Sequence, residues 1–535
     1  MKRKLFALLC VCSLMGTMVC GCGKTENPTV KSSEVSENSS EKSTEVVSSE
    51  VEEPKLDYVE LDWYNYDAKV QDLDIIQAAL DEYFLEKLNC KVNLHMLTWS
   101  EFKEKVPTML MAGENVDLVR INNGLTTYHT SAEQGMLYPL DELMDKYGKG
   151  VKGLFNDQVW ESLQIDEHVY MVPTLKDNAT ITGYIYNSKL AEELGLDMEN
   201  LDWSNYMDIE EFCLKALALR DEKYPEYKGM PLLSRMSANS PYFASLEKSF
   251  GANYLAVANI PGAEANPEYG TDTLYNWYES DAYREQLLLI QRLVEAGVFA
   301  YDYTIYEGNA QYEPSTLINP AWGYTWIGDD LFGGEGYPDT LVVFEDNVWA
   351  DTNSFAGIGM AIGANCKDPE RAMMVMELLN TDPYVASLLR FGVEGEHWEY
   401  DKDNNIVLAN RNADVSNAGW LLWYGIGFGN ITIVDGPESY VGPDRIVMTK
   451  MAEYNNEAIL ATHMGFVVDT TNIINEIAAC NNVVAEYSYL ENGQVESAEA
   501  VNKALDEMIA KLKANGSDKI VEEIQRQVNE WKAGK

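Results

Sequence analysis

The chain has 535 residues, a formal net charge of −46 and a sequence pI near 4.3. So acidic a surface repels phosphate backbones and anionic headgroups, which excludes nucleic acid as a partner. The length allows about two to four domains at ~100–200 residues each, and the acidity by itself specifies no substrate.

Residues 1–21 read as a secretory leader: Lys2, Arg3 and Lys4 precede an apolar run too short to stay as a membrane span. At its end, Gly23-Lys24-Thr25 could be the tail of a phosphate loop, but Met18 stands where that loop needs glycine. Cys20 and Cys22 could start a metal site, but the next thiol and imidazole are Cys90 and His95. Val19-Cys20-Gly21 before Cys22 instead resembles the bacterial lipobox, which implies cleavage before Cys22 and diacylation of its thiol. Two acyl chains hold a protein stably on a membrane, and no later apolar run offers a second contact. Beyond the lipidated cysteine, residues 22–54 are Ser, Glu, Lys, Thr and Val without an aromatic, a disordered tether. Its root-mean-square reach is roughly 30 Å.

Order begins with YVELDWYNY, an alternating strand, followed by a helix in DLDIIQAALDEYFLEKLN. KVNLHML reads as strand, WSEFKEKVPTMLMAG as helix and VDLVRIN as strand. Alternating strands and helices predict a parallel sheet with covered faces, whose ligands bind beyond the strands' carboxyl ends. Those ends carry Trp63 and Asn65, then Trp99, then Asn122. The chain closes with two amphipathic helices, in SAEAVNKALDEMIAKLKANG and SDKIVEEIQRQVNEWKAGK, with Gly516 as the stop and Ser517 as the cap between them. Cys90, Cys213, Cys366 and Cys480 are scattered, and a core this large does not need them paired, so they read as buried thiols.

The succession AGENVDLV, GMLYPLDELMDKY, HVYMVP and ITGYIYNSKLAEELGLD resembles the family 1 extracellular solute-binding proteins of ABC importers. GIGMAIGANCKDPERAMMVMELLNTDPYVASLLRFGVEGEHW extends the likeness, and GFVVDTTNIINEIAACNNVVAEY resembles the LipO-like branch with its distinctive C-terminal region. The resemblance implies an α/β, two-lobed periplasmic-binding-protein-like fold of type II, each lobe a mainly parallel sheet flanked by helices. Lobe 1 would be residues 55–178 plus 358–395 and lobe 2 residues 179–357 plus 396–535, with crossings near 175–185, 355–362 and 395. It also implies a monomer that hands its ligand to permease subunits in the membrane, without a cofactor.

Carboxylates number 86, so a catalytic pair cannot be inferred from their presence. Neither H-E-x-x-H nor G-x-S-x-G occurs, and DKDNN at 401–405 lacks the glycine and the glutamate of a calcium loop, which leaves a hairpin turn. The stronger signal is aromatic, with 12 Trp and 32 Tyr. Trp322, Tyr324 and Trp326 alternate, and Trp398, Trp420 and Trp423 sit in glycine-bordered segments. Aromatic faces stack on the C–H patches of sugar rings, while amides and carboxylates read hydroxyls. Trp160, Trp203, Trp277 and Trp531 lie in helix-like contexts and read as packing. The expected oligosaccharide site is therefore Trp63, Asn65, Trp99, Asn122, Tyr170, Trp322, Trp326, Glu394, Trp398 and Trp423, with no metal and no catalytic group. A peptide receptor of the same fold, in which Arg120 or Arg235 would matter, and a surface glycoside hydrolase are the alternatives.

Overall fold

The structure, a computed structural model, describes residues 56–534 except 68–70, 123–126, 181–182, 199–200, 202–208, 234–245, 249, 263–264, 300–314, 322–338, 344–347, 403–405, 410–417, 423–428 and 436–445. The lipidation candidate Cys22, the tether, Trp203, Trp322, Trp326 and Trp423 lie outside the described residues.

The first strands and helices follow the sequence pattern. β1 (Val59–Tyr66), α1 (Leu73–Leu88), β2 (Cys90–Leu97), α2 (Trp99–Ala112) and β3 (Leu118–Asn122) succeed one another, with β1 pairing both β2 and β3 in parallel. The helix α1 ends on Asn89 in the left-handed region, and α2 starts on a capping box in which Thr98 and Glu101 satisfy each other's backbone N–H groups. β4 (Met171–Pro173) and the later strand Ile358–Ile362 complete a five-stranded sheet, in which Ile358–Ile362 runs antiparallel between β3 and β4. A second sheet sets β5 (Gly183–Asn187) between Ile318–Ala321 and Asp339–Val343, both antiparallel to it. The expected mainly parallel sheet thus describes the first layer. In the second, parallel character comes from single bridges of Leu233 to Phe299 and Ile318 among the described residues. Apolar patterning marks a buried strand without fixing its direction.

Two large cores form around these sheets. The first contains Leu61, Phe84, Ile121, Met171 and Leu175, and after a long excursion Ala350, Phe355, Val375 and Leu389. The second contains Tyr184, Phe250, Trp277, Leu287 and Ile318, and then Phe466, Cys480, Leu505 and Val528. Among the described residues the four cysteines, Cys90, Cys213, Cys366 and Cys480, are all buried and free. The first core begins its return earlier than residue 358, because Phe355 packs edge-on against Phe155 at 5.6 Å. It also extends beyond 395: Trp420 donates its indole N–H to the Leu389 carbonyl at 2.9 Å, and Leu422 is buried beside it. In the C-terminal pair, Ser497 caps the helix Ala498–Ala514, whereas Ser517 lies inside the helix Ser517–Gly534 and donates its hydroxyl to Glu279 instead of capping.

Three stretches of chain between the cores lie side by side. Thr180 and Trp349 exchange backbone hydrogen bonds at 2.7 and 3.1 Å, and Trp349–Ala350 pairs in parallel with Ile459–Leu460. Asn455 stitches the first to the third: its Oδ1 accepts the Ala179 N–H at 2.8 Å, and its Nδ2 donates to the Lys176 carbonyl. Small clusters of Ala179, Val348 and Tyr454, and of Ile260, Trp349 and Ala461, pack against this ribbon. Asn455→Ala should leave a buried N–H and a carbonyl without partners and lower stability by about 2 kcal/mol or more. An unchanged urea midpoint in that variant would show that the stitch contributes nothing.

Candidate functional site

The carboxyl ends of β1, β2 and β3 meet at one edge of the first sheet. The Thr98 capping box fixes the start of α2, so Trp99 projects at the first helical position and is 48% exposed. Its ring stands edge-on to Tyr66, with centroids 5.1 Å apart at 84°. Phe102, one turn further along α2, packs on the same tyrosine at 4.9 Å. The Arg120 guanidinium lies over the Tyr66 ring at 3.9 Å and donates to the Tyr66 carbonyl at 3.0 Å. Burial raises the Tyr66 phenol pKa, and Arg120 and the Asn122 side chain, which bonds the phenol, oppose that rise. Tyr66 is therefore a neutral ring held from three sides with Trp99 as its exposed neighbour.

Next to it opens a cavity of about 490 Å³, lined by Asn122 and Ile358 from the sheet edge, Lys176, Asn178 and Thr180 from the first crossing, Trp349 and Asp351 from the second, and Lys248. Its polar walls are held in place. Lys176 pairs with Asp177 at 2.6 Å, and Asn178 Nδ2 donates to the Thr174 and Ser354 carbonyls at 3.1 and 3.0 Å. Asp351 accepts the Ser354 N–H at 3.0 Å in a reciprocal capping box. Burial, and then the nearby Glu247 carboxylate, raise the Asp351 pKa, opposed by N–H groups of Ser354 and Lys248. Glu247 in turn holds His463 Nδ1 at 2.8 Å, and both are wholly buried.

The expected site residues divide into groups. Trp99 and Asn122 share the sheet edge with the cavity. Trp63 is wholly buried, because β1 runs three residues beyond it to Tyr66 and the strand is covered on both faces. Asn65 is buried too, and its Oδ1 accepts the Tyr66 N–H at 2.8 Å. Tyr170 precedes β4 at the opposite edge, where its N–H donates to the Tyr128 hydroxyl and its ring meets His168 edge-on. Glu394 and Trp398 belong to a hairpin, Trp398–Tyr400 with Ile406–Leu408, the turn expected at DKDNN. Glu394 is exposed, and Trp398 is half-buried with its indole donating to the Gly392 carbonyl. The neighbouring His397 reaches Asp72, the residue before α1, at 3.3 Å, so the hairpin is moored at the same edge as Tyr66. Trp160 and Trp277 are packing residues, and Trp531 packs on Phe466 at 5.6 Å. Tyr66, Lys248, Trp349 and Asp351 were not among the expected residues, and Arg120 was expected to matter only in the peptide alternative; of the four, only Tyr66 carried a sequence signal, at the end of a strand.

Two cores joined by bonded stretches of chain, with a polar cavity that carries Trp349 beside them, are the arrangement of a binding protein. The chain belongs to the bacterial extracellular solute-binding proteins, whose family model matches residues 67–385, and this membership puts it outside the cytoplasm. A domain of unknown function (DUF3502) matches residues 462–533. A carbohydrate ABC transporter substrate-binding protein of Streptococcus pneumoniae is 23% identical over 88% of this chain and 90% of its own length. The crystal structure of the N-glycan transport solute binding protein NgtS from the same species superposes with a TM-score of 0.70 at 21% identity, covering 88% of this chain and 98% of that one. An HMO binding ABC-transporter associated solute binding protein from Bifidobacterium longum infantis gives 0.54 at 14% identity, covering 89% and 99%. These relatives are substrate-binding proteins, and at such identities the structures show a shared fold.

A raised Asp351 pKa means that the folded chain keeps this proton to a higher pH than the unfolded chain does. The charged carboxylate therefore costs stability at neutral pH, and the cost is relieved as pH falls from the elevated folded value toward the ordinary ~3.9. Asp351→Asn, which retains an acceptor for Ser354, should be more stable than the parent at pH 7 and lose that advantage at pH 4. Equal melting-temperature differences at the two pH values would contradict this assignment.

Proposed function

We propose that this protein is the cell-surface receptor of an ABC importer, which captures an oligosaccharide between two lobes, closes about its crossings and presents the closed form to a permease. The observation that carries the reading is the exposed Trp99 braced on Tyr66 beside a cavity walled by amides, carboxylates and Trp349. Sugar rings need this combination, a flat apolar face for their C–H side and fixed polar groups for their hydroxyls. The cavity is lined by the first two crossings, with Asn122 from the first sheet and Lys248 from beyond them, so a ligand filling it would touch both sides of the hinge and favour the closed state by its differential affinity. The relatives support a glycan as cargo: NgtS has been crystallised in complex with Man1GlcNAc and with Man5GlcNAc.

The lobes of this reading are the two cores, with the crossings as their shared boundary. Cys22 carries the lipid anchor and residues 23–54 the tether, which lets a monomer work near its permease. No chemistry on the ligand is required, and the site acts by recognition alone.

Titration of the protein with a panel of oligosaccharides and peptides, followed by tryptophan fluorescence and melting temperature, tests the reading. A ligand of the folded form stabilises by RT ln(1 + [L]/Kd), about 2.7 kcal/mol at a hundredfold excess over Kd. The expected result is a saturable shift with one glycan family and no product formed over time. Trp99→Ala should weaken that ligand at least tenfold, about 1.4 kcal/mol, with an unchanged melting temperature of the free protein. Glycan turnover, or a response to peptides alone, would overturn the proposal.

A further inference from the structure

Arg120 is an unusual cation. It is only 5% exposed, yet no carboxylate stands within ion-pair distance of it among the described residues. Its Nη1 donates to two uncharged oxygens, the Tyr66 carbonyl at 3.0 Å and Asn65 Oδ1 at 3.5 Å. Its Nε has no hydrogen-bond partner. A guanidinium keeps its charge even when burial pulls its pKa down, as burial does here, so the charge is present, with Tyr66 and Asp67 opposing the effect of burial but no carboxylate paired with it among the described residues.

The surroundings share this bias. In the β1–β3 register Trp63 is level with Leu118, which puts Asn65 level with Arg120 on one face of the sheet. Trp63 Nε1 and Asn65 Nδ2 are also buried without a partner. Trp63, Asn65 and Arg120 thus each carry a buried N–H donor without a partner on one face of the sheet. Asn122, two residues after Arg120 in β3 and so on the same face, lines the cavity. Of the other cations at the cavity, Lys176 pairs with Asp177 at 2.6 Å, and Lys248 lies over the Tyr254 ring with its Nζ 4.8 Å from the centroid.

Resting on the oligosaccharide reading above, we propose that Arg120 is a specificity-determining residue that receives the carboxylate of an acidic sugar unit, with Asn65 Nδ2 as a second donor. A carboxylate supplies what this patch lacks, a negative charge and several lone pairs, and a guanidinium meets it through two N–H groups at once. A neutral sugar offers hydroxyl oxygens but leaves the buried charge unmatched. The strongly negative surface does not oppose the assignment at physiological salt, because repulsion between exposed charges is screened beyond about 8 Å.

Matched pairs of sugars test this on the full-length protein in 0.15 M salt: trigalacturonate against its methyl ester, and sialyllactose against lactose. At least one acid should bind tenfold or more tighter than its neutral counterpart. Arg120→Met should abolish that preference, and Arg120→Lys, which restores the charge without the planar fork, should recover part of it. The wild-type comparison needs no variant to fold. Neutral and acidic members binding equally well would overturn this inference and leave the oligosaccharide reading in place. A loss of both members alike in Arg120→Met, not rescued by Lys, would make Arg120 a structural tie for the end of β1 and overturn it equally. Silence from every sugar, with or without a response to peptides, would overturn both.

Discussion

The constraint on which the structure depends is that chain passing between two cores must satisfy its own backbone polar groups where neither core can do so. Here the three passages answer it by pairing with one another. Thr180 bonds Trp349, Trp349–Ala350 pairs with Ile459–Leu460, and Asn455 serves Ala179 and Lys176 with one side-chain amide. A ribbon of this kind is stiff along its hydrogen bonds and compliant to bending across them. It can therefore let the cores approach while keeping their alignment. Lys176, Asn178, Thr180, Trp349 and Asp351 belong to the ribbon or adjoin it, so the same stretches of chain that join the cores also wall the cavity.

The sheet edge contributes the other half of the site, and its precision comes from local sequence. The T-x-x-E capping box at Thr98 fixes where α2 begins, and one residue later Trp99 has no choice but to emerge at the end of β2. Tyr66 then bridges elements: one neighbour is Trp99, another Phe102 inside the core, and a third Arg120 from β3. An aromatic packed from several directions loses little further freedom when a ligand stacks beside it, so the ordering cost of binding is already met in folding.

How much was legible in the sequence follows from which features are local. The alternation of YVELDWYNY, the helix of WSEFKEKVPTMLMAG and the pairing of HWEY with IVLAN are local, and each appears where the residues indicate. YVELDWYNY ends where β1 ends, at Tyr66; what it does not reveal is that both faces of the strand are covered, which puts Trp63 in the core. Tyr170 failed for a different reason. It precedes β4, and its edge is set by pairing with Ile358–Ile362, a strand almost two hundred residues away that no local pattern reveals. Trp349, Lys248 and Asp351 are likewise brought together by crossings, and their neighbours in sequence carry no sign of a shared wall.

The C-terminal region is where this non-local logic reaches furthest. The match to a domain of unknown function covers residues 462–533, yet Leu505, Leu512, Ile520 and Val528 belong to the same core as Tyr184 and Ile318. His463, near its start, is buried against Glu247, and Glu247 is one of the charges felt by Asp351 in the cavity wall. From the other side of His463, Asp272 approaches at 3.8 Å and is itself held by Lys532 in the last helix. A run of charged groups thus leads from the final turn of the chain to the floor of the cavity. The region is a structural part of the second core rather than an appendage to it, because removing it would strip the apolar cover from that core and leave Glu247 buried without its histidine. A buried carboxylate so exposed to its neighbours would raise the cost of ionising Asp351 further, and the cavity wall would lose the charge that balances Lys248.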